Sequence, residues 1–147
     1  MQRLTIRDMR EDDLPAVLSI EQTSFSTPFS REYFLNELYK KHALSKVALC
    51  KRRVIGYICA EYHLHEAHIL NLAVHPDFRR RGAATILMTH AMRALKQKGC
   101  VFLYLVVRAS ANGAQKFYER LGFKVEAVRK KYYSKPDEDA LQMMGRL

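Results

Sequence analysis

Two apolar runs of strand length flank one segment of helix length in the second half of the chain. The runs are ILNLAV (69–74) and CVFLYLVV (100–107), and Gly99 ends the segment between them. Small and apolar residues recur in that segment at helical spacing, at Ala84, Leu87, Met88, Ala91 and Leu95. This order predicts two parallel strands joined by a right-handed crossover helix. Because the second run is unbroken, we expect that strand to be covered on both faces.

The beginning of the chain has the pattern of one strand followed by two helices. LTIRDM (4–9) alternates as a strand does. EDDLPAVLSIEQTSF (11–25) has acidic residues and Pro15 in what would be the first turn of a helix. TPFS (27–30) predicts a turn, with Ser30 as the N-cap of a helix over REYFLNELYKK (31–41).

The middle and the end of the chain are rich in β-forming residues. SKVALC (45–50) and VIGYICAEYHLH (54–65) predict a hairpin, and a second tight turn is expected near residues 65–67. AQKFYERLGF (114–123) predicts a short helix that Gly122 stops. Two closing strands, FKVEAV and ALQMMGRL, are expected to flank a polar loop, RKKYYSKPDED. We therefore predict an α/β (or α+β) fold with a mostly antiparallel sheet and one central parallel pair.

Composition sets the class of protein. A chain of 147 residues that is 48% hydrophobic suits one globular domain over residues 1–147. No 18-residue apolar window and no apolar secretory core occur, so we expect no membrane association. Three cysteines stand singly in apolar runs, at Cys50, Cys59 and Cys100, which favours buried thiols and a reducing cytoplasm.

The charge balance points to an anionic partner. The chain has 25 Lys and Arg against 15 Asp and Glu, a formal net charge of +10. This favours a nucleic acid, a phosphorylated cofactor or a ribonucleoprotein surface, and charge alone does not choose among them. A soluble protein that is merely basic is the plain alternative.

The segment HPDFRRRGAATILM (75–88) connects the first apolar run to the crossover helix. A helix N-terminus exposes unpaired N–H groups that bind phosphate, and glycine with two alanines lets a ligand approach the backbone closely. Arg79, Arg80 and Arg81 would add charge-assisted donors for a diphosphate. The segment lacks the GK[ST] ending of an ATP-binding P-loop.

These motifs together resemble a known family. Arg79 to Ala84 resembles the (Q/R)xxGx(G/A) turn of the GNAT acetyltransferases, which cradles the pyrophosphate of acetyl-CoA. ILNLAVHP looks like their fourth strand, and LVVRASANGAQKFYERLGFK looks like their fifth strand and next helix, with the YxxLGF motif. TPFS and the tail RKKYYSKPDEDALQMM resemble the branch that acetylates the N-terminal alanine of ribosomal proteins. The resemblance covers nearly the whole chain.

The resemblance implies a fold, a co-substrate and a cofactor site. The fold would be a sheet of about seven strands with a splayed central parallel pair and about four helices. Acetyl-CoA would be the co-substrate, no metal would be needed, and the protein would be a monomer or weak dimer. The cofactor-binding residues would be Leu72, Ala73, Val74, Arg79, Arg80, Arg81, Gly82, Ala83, Ala84, Thr85, Asn112 and Tyr118.

Tyr118 is the expected general acid, because the tyrosine of YxxLGF lies near the thioester sulfur in the family. A phenol with a pKa of about 10 can protonate a departing thiolate. Spacing alone favours a core tyrosine that packs its helix on the sheet, and the resemblance reverses that preference.

The sequence differs from the branch pattern at the position of the general base. The branch usually has glutamate where this chain has Val106, which cannot accept a proton. His68 is one replacement, since histidine titrates near neutrality. The alternatives are a water relay to Glu61, Glu66 or the backbone, and a weak or altered enzyme. Because an N-terminal amine has a pKa of about 7.7–8.0 and needs less help than lysine, the loss favours an N-terminal substrate.

Two further positions carry open alternatives. RASANGA places Ala111 where the family commonly has a cofactor-contacting asparagine, so Asn112 either takes over that contact or caps the helix. Tyr132 and Tyr133 are expected in the loop between the last strands, facing Phe29 and Tyr33 across a peptide groove. The two adjacent tyrosines would otherwise be an edge-strand pair.

The function predicted from the sequence is therefore N-terminal acetylation of a protein, for example a ribosomal protein. Acetylation of a small amine is the second hypothesis, and a non-catalytic module that binds RNA or ribosomes is the third, supported by the charge and the missing glutamate. His63 and His65 share one strand face, but no further metal ligand is evident, so we predict no metal site.

Overall fold

The computed structural model describes residues 3–147 and contains one seven-stranded sheet in that range. Along the chain the elements are β1 (Leu4–Asp8), α1 (Leu14–Ser24), α2 (Arg31–Tyr39), β2 (Ala43–Cys50), β3 (Arg53–His63), β4 (Glu66–Val74), α3 (Ala83–Gln97), β5 (Phe102–Arg108), α4 (Asn112–Arg120), β6 (Lys124–Tyr133) and β7 (Glu138–Arg146). The strand order is β1-β2-β3-β4-β5-β7-β6, and only β4 and β5 are parallel. The predicted fold class is confirmed.

Helices cover the β2–β4 part of the sheet on both faces. On one face the apolar stripe of α3 packs on β2, β3 and β4, where Leu87, Met88 and Leu95 are fully buried. On the other face α1 and α2 bury Leu14, Val17, Ile20 and Phe34 against Tyr57 and Cys59 of β3. Ser30 caps α2, as predicted, because its hydroxyl accepts a hydrogen bond from the Tyr33 N–H (3.2 Å).

Two glycines allow close contacts that position the later elements. A Cβ on Gly56 of β3 would lie 3.2 Å from a Leu87 side-chain carbon, so glycine lets α3 approach the sheet. A Cβ on Gly145 of β7 would lie 2.9 Å from the Phe123 ring. Gly145 therefore leaves the space in which Phe123, just after α4, is buried.

The prediction that β5 is covered on both faces is wrong. Leu103, Leu105 and Val107 are buried, whereas Tyr104 and Val106 are only half-buried. α1 and α2 end over β4 on that face, so no helix in the described residues covers β5, β7 and β6 there. Tyr104 and Val106 are nonetheless aromatic and apolar, although they lie on this partly open face.

Several predicted boundaries also shift. The second tight turn lies at Leu64 and His65, earlier than expected, because β4 already begins at Glu66. α4 begins at Asn112, and α3 buries Ala83 more fully than Ala84. Tyr132 and Tyr133 do not lie in a loop: β6 continues through both, and the connection to β7 is only residues 134–137.

Candidate active site

β4 and β5 separate soon after they begin. They are paired only from Glu66–Phe102 to His68–Tyr104. β4 then continues along β3 as far as Val74, while β5 continues along β7 as far as Arg108. The β4 edge that contains Leu72, Ala73 and Val74 therefore has no strand partner on the β5 side. Such an edge can bind an extended ligand through its backbone N–H and C=O groups.

A bulge in β4 accounts for this separation. Asn71 pairs with Cys59 and Ile69 pairs with Ala60, so Leu70 is the extra residue. A bulge bends its strand and increases the local twist, which turns β4 away from β5. The bulge also places the side chains of Leu70 and Asn71 toward α1 and α2, since Leu70 packs in that core and Asn71 bonds to a residue of α1.

The turn after β4 forms an open cradle at the N-terminus of α3. Gly82 is the N-cap, with a φ of 80° that glycine adopts without strain, and a Cβ there would meet no atom within 4 Å. The N–H groups of Ala83, Ala84 and Thr85 belong to the first helical turn and have no partner within the helix. An open space beside unpaired N–H groups and positive charge fits a diphosphate.

The three arginines of this turn differ in their contacts. Arg79 is exposed but makes two hydrogen bonds: its Nε donates to the Val74 carbonyl (3.0 Å) and its Nη2 donates to the Ser24 hydroxyl (3.3 Å). It therefore anchors the turn to β4 and α1. Arg81 places its guanidinium 5.4 Å from the centre of the Phe78 ring, and Arg80 is exposed. All three arginines are exposed, and Arg80 and Arg81 are the two that take no part in this anchoring.

Tyr118 lies buried on α4, against Phe117 and Phe123. Burial raises the pKa of its phenol well above the ordinary value, and nearby Tyr133 raises the pKa further. The phenol is therefore protonated at neutral pH and can act as a hydrogen-bond donor or an acid. It cannot act as a base there.

A groove of about 460 Å³ lies on the uncovered face of the sheet, across β4, β5, β7 and β6. We call it the open-face groove. Its lining consists of Glu66, His68, Tyr104, Val106, Glu126, Arg129, Tyr132 and Gln142.

The open-face groove brings His68 together with Val106. His68 is exposed, and its ring stacks on Tyr104 of β5 at a centroid distance of 5.3 Å. This stacking holds the imidazole over the groove, beside the position where the resemblance would put a glutamate. The water-relay alternatives differ in place: Glu66 lines the groove, whereas Glu61 lies opposite His68 on β3.

The aromatic residues predicted to contact a peptide lie in two separate places. Tyr132 lines the open-face groove, and Tyr133 next to it donates a hydrogen bond to the Val106 carbonyl (3.4 Å). Phe29 and Tyr33 stack on each other at 4.0 Å beside α1 and α2, and neither belongs to the groove lining. Of the two predicted walls of the peptide groove, only the one with Tyr132 borders the open-face groove directly, and the one with Phe29 and Tyr33 does not.

Arg108 connects these two walls, a role that the sequence analysis missed. Its guanidinium lies 4.3 Å from the centre of the Tyr133 ring and donates to the Pro136 carbonyl (3.1 Å) and to Glu138 (3.3 Å). It also donates to the Ser26 hydroxyl (3.3 Å), just after α1. Its position at the end of β5, directly after the apolar run, was the available signal.

A buried polar network under the α1–α2 connection was also missed. Glu21 is 1% exposed and accepts hydrogen bonds from the Tyr57 hydroxyl, the Asn71 amide (3.3 Å) and the Phe29 N–H (3.0 Å). Tyr33 in turn donates to Asn71 (3.3 Å). The network ties Phe29 and Tyr33 to the bulge of β4. A glutamate that continues the apolar stripe of Val17 in α1 was the signal for it.

Two predictions concern residues outside the groove. Asn112 is exposed and makes no side-chain capping bond, and the N-cap of α4 is Ala111. The capping alternative for Asn112 is therefore wrong, and a contact with a ligand stays a prediction. Among residues 3–147, no group of three or more histidine, cysteine or acidic side chains is arranged to hold a metal ion.

Comparison with known proteins adds the family to this geometry. A sequence profile described as the acetyltransferase (GNAT) family matches residues 9–123. The chain belongs to the GNAT acetyltransferase family. Acetyl-CoA is the acyl donor of GNAT enzymes, and the open cradle at α3 and the free edge of β4 fit such a donor.

The alignments with similar enzymes extend over almost the whole chain. The [ribosomal protein bS18]-alanine N-acetyltransferase of Salmonella typhimurium is 36% identical over 141 residues, 95% of each chain. The crystal structure of the ribosomal-protein-S18-alanine N-acetyltransferase from Escherichia coli is 32% identical, with a TM-score of 0.91 over 98% of this chain and 94% of that one. Ard1 from Thermoplasma volcanium is 28% identical, with a TM-score of 0.90 over 98% of this chain and 97% of that one. None of the described helices of this GNAT chain is both long and apolar enough to span a membrane.

Proposed function

We propose that this GNAT enzyme transfers the acetyl group of acetyl-CoA to the α-amine of a protein N-terminus, with a ribosomal protein as the substrate. The observation that carries the proposal is the free edge of β4, which starts directly after His68 in the open-face groove and ends at Val74, where the turn to the cradle at Gly82 begins. One strand thus connects a site for the donor with a groove for the acceptor. The similarity to enzymes named for the N-terminal alanine of a ribosomal protein supports this substrate.

Donor binding would use backbone groups more than side chains. Leu72, Ala73 and Val74 would bind the pantetheine arm along the free edge of β4, and one of their N–H groups would polarise the thioester carbonyl. Ala83, Ala84 and Thr85 would bind the diphosphate through their N–H groups, with charge from Arg80 and Arg81. Asn112 is exposed at the start of α4 and would make a further contact.

The chemistry would use one acid and one base. His68 would take a proton from the acceptor ammonium, and the neutral amine would then form the C–N bond at the thioester carbonyl. Tyr118 would donate its proton to the sulfur as the C–S bond breaks. The nitrogen loses a second proton when the amide forms, and that proton restores the Tyr118 phenol. The net proton released is the one on His68.

The acceptor peptide would lie in the open-face groove. Tyr132 offers an exposed aromatic surface there, and Tyr133 is held against the end of β5. Phe29 and Tyr33 would contact the outer part of the peptide, because the Glu21 network holds them beside β4. Arg108 would keep the two walls in register.

Mass spectrometry tests the substrate. Peptides with the first residues of a ribosomal protein, and matched peptides with a different first residue, are incubated with acetyl-CoA. We expect acetylation of the ribosomal sequence at a higher kcat/KM than of the matched set. Acetyl-CoA binding without acetylation of any peptide would contradict the proposal.

Acetylation of a small amine is the second candidate, and the two carboxylates of the groove favour it. Burial raises the pKa of the Tyr104 phenol, and the two groove residues Glu66 and Glu126 raise it further. Two carboxylates suit a cationic amine, although Arg129 also lines the groove and the chain as a whole is basic. Turnover of polyamines without turnover of peptides would favour this candidate.

A further inference from the structure

Glu37 of α2 is a buried carboxyl group that the proposed mechanism does not yet use. It is 4% exposed, and its Oε2 has no hydrogen-bond partner among the described residues. Its Oε1 lies 3.4 Å from the Lys40 ammonium. A buried carboxylate oxygen without a hydrogen-bond donor destabilises the fold. A proton on Glu37 that forms a hydrogen bond to a neighbouring acceptor would remove this cost.

That acceptor is Glu61 of β3. Lys40 contacts both acids, with its ammonium 2.8 Å from Glu61 Oε2. Burial and the nearby Glu61 carboxylate raise the pKa of Glu37 to about 7, despite the opposing effect of Lys40. The proximity of the Glu37 carboxyl group, together with Lys40, lowers the pKa of Glu61. Below about pH 7, Glu37 is therefore the protonated member of the pair and Glu61 is the ionised member.

Glu61 faces the candidate base. It is the cross-strand partner of His68, so both side chains project from the same face of adjacent antiparallel strands. A positive charge on His68 makes a small further contribution to the lowered pKa of Glu61. No hydrogen bond joins them in the structure. The Tyr104 ring contacts His68 from the other side.

We propose that Glu61, held in place by Glu37 and Lys40, is the positioning residue that prepares His68 to accept the proton of the acceptor amine. The inference rests on the proposed N-terminal acetylation. Glu61 balances the charge that His68 gains, while Glu37 and Lys40 keep Glu61 ionised. The lost glutamate at position 106 is thereby replaced by a pair of carboxyl groups behind a histidine on the neighbouring strand.

Other titratable groups lie close to Glu37 and His68, and their protonation can also affect the pH dependence of the reaction. The groups close to Glu37 come from α2 and β3 and are Tyr33, Lys40, Cys59 and Glu61. Those that share the open-face groove with His68 are Glu66, Tyr104, Glu126, Arg129 and Tyr132.

The pH dependence of kcat/KM tests the proposal with three substitutions. His68→Gln is expected to lower kcat/KM about 100-fold and to remove the ascending limb near neutrality. Glu61→Gln is expected to move that limb to lower pH, because an opposite charge beside the base is lost. Glu37→Gln removes a charge that appears only above about pH 7 and is expected to move the limb in the same direction by less. Glu32→Gln on the exposed side of the same helix is the matched control and should leave the limb in place.

A second measurement is independent of turnover. The His68 imidazole is titrated by NMR in the wild-type protein and in Glu61→Gln, with His68→Gln used to assign its signal. We expect the titration midpoint to fall in Glu61→Gln and not in Glu32→Gln. An active wild-type enzyme whose limb and NMR midpoint do not move in Glu61→Gln overturns this inference and leaves the proposed function intact. A folded wild-type protein that acetylates no N-terminus at any pH overturns the proposed function instead.

Discussion

His68 of β4 and Val106 of β5 line the same groove, although their two strands are paired only as far as His68 and Tyr104. A residue at position 106 therefore faces the space over which His68 is stacked. Val106 is half-buried, so a longer polar side chain can extend into the groove without entering the core.

Introducing Val106→Glu into a His68→Gln variant is the first prediction. A glutamate at position 106 would project into the same groove. We therefore expect kcat/KM of the double variant to be at least about tenfold higher than that of His68→Gln alone. Steady-state kinetics with an N-terminal peptide measure the effect. Val125→Glu on the exposed edge strand serves as the control for added charge, and equal recovery there would contradict the assignment.

Substituting Tyr118→Phe tests the acid. The phenyl ring keeps the packing against Phe117 and Phe123, so we expect the melting temperature to change little. We expect kcat to fall about 100-fold while the KM for acetyl-CoA stays within about twofold. A kcat close to that of the wild type would show that Tyr118 is only a core residue.

The cradle at α3 is tested by Gly82→Ala. Both Gly82 (φ 80°) and Gly99 (φ 94°) have left-handed backbones with open space at the Cβ position, so alanine costs each about 1–2 kcal/mol of folding stability. Only Gly82 lies at the N-terminus of the helix. We therefore expect Gly82→Ala to weaken acetyl-CoA binding at least about tenfold by calorimetry. Gly99→Ala, with matched strain at the other end of α3, should bind as the wild type does.

Arg108→Lys tests the link between the two walls of the acceptor site. Lysine keeps the charge but cannot donate to Ser26, Pro136 and Glu138 at once, since it lacks the planar fork of arginine. We expect the KM for the peptide to rise about tenfold and the KM for acetyl-CoA to stay constant. The exposed Arg120→Lys on α4 is the control. A matching rise in both KM values would point to a general loss of structure.

Glu37 should also affect stability as pH changes. Its pKa is raised from 4.5 to about 7, so between these values the folded chain holds a proton that the unfolded chain has lost. The free energy of unfolding must therefore fall as pH rises through this window, and the contribution is absent in Glu37→Gln. Urea unfolding at several pH values should show that the free energy of unfolding of the variant rises relative to that of the wild type from about pH 4.5 to pH 7. A constant difference would contradict the shared proton.

Sequence patterns were sufficient for the fold because local signals agreed with one another. The apolar runs at 69–74 and 100–107 and the stripe of α3 fixed the parallel unit, and the hairpin of β2 and β3 followed from its short basic turn. The error on β5 has a physical cause: an apolar run marks burial in general, and it cannot tell a helix-covered face from the wall of a groove.

The polar parts of the site were harder to predict. Glu21 and Glu37 resemble ordinary surface residues of amphipathic helices, and their burial depends on how α1 and α2 pack on β3. The bulge at Leu70 has no local signature, yet it separates β4 from β5 and turns Asn71 toward Glu21. The polar residues around Tyr132 and Tyr133 predict a loop, whereas β6 extends through both tyrosines.

The central claim is that the open-face groove presents an N-terminal α-amine to the acyl donor. One peptide that carries both a free α-amine and an internal lysine tests this most directly, with the acetylated position located by fragmentation mass spectrometry after incubation with acetyl-CoA. The account predicts acetylation of the α-amine, with the lysine unmodified, and no product when the α-amine is blocked. Acetyl groups on the lysine, or an equal yield from the blocked peptide, would contradict it.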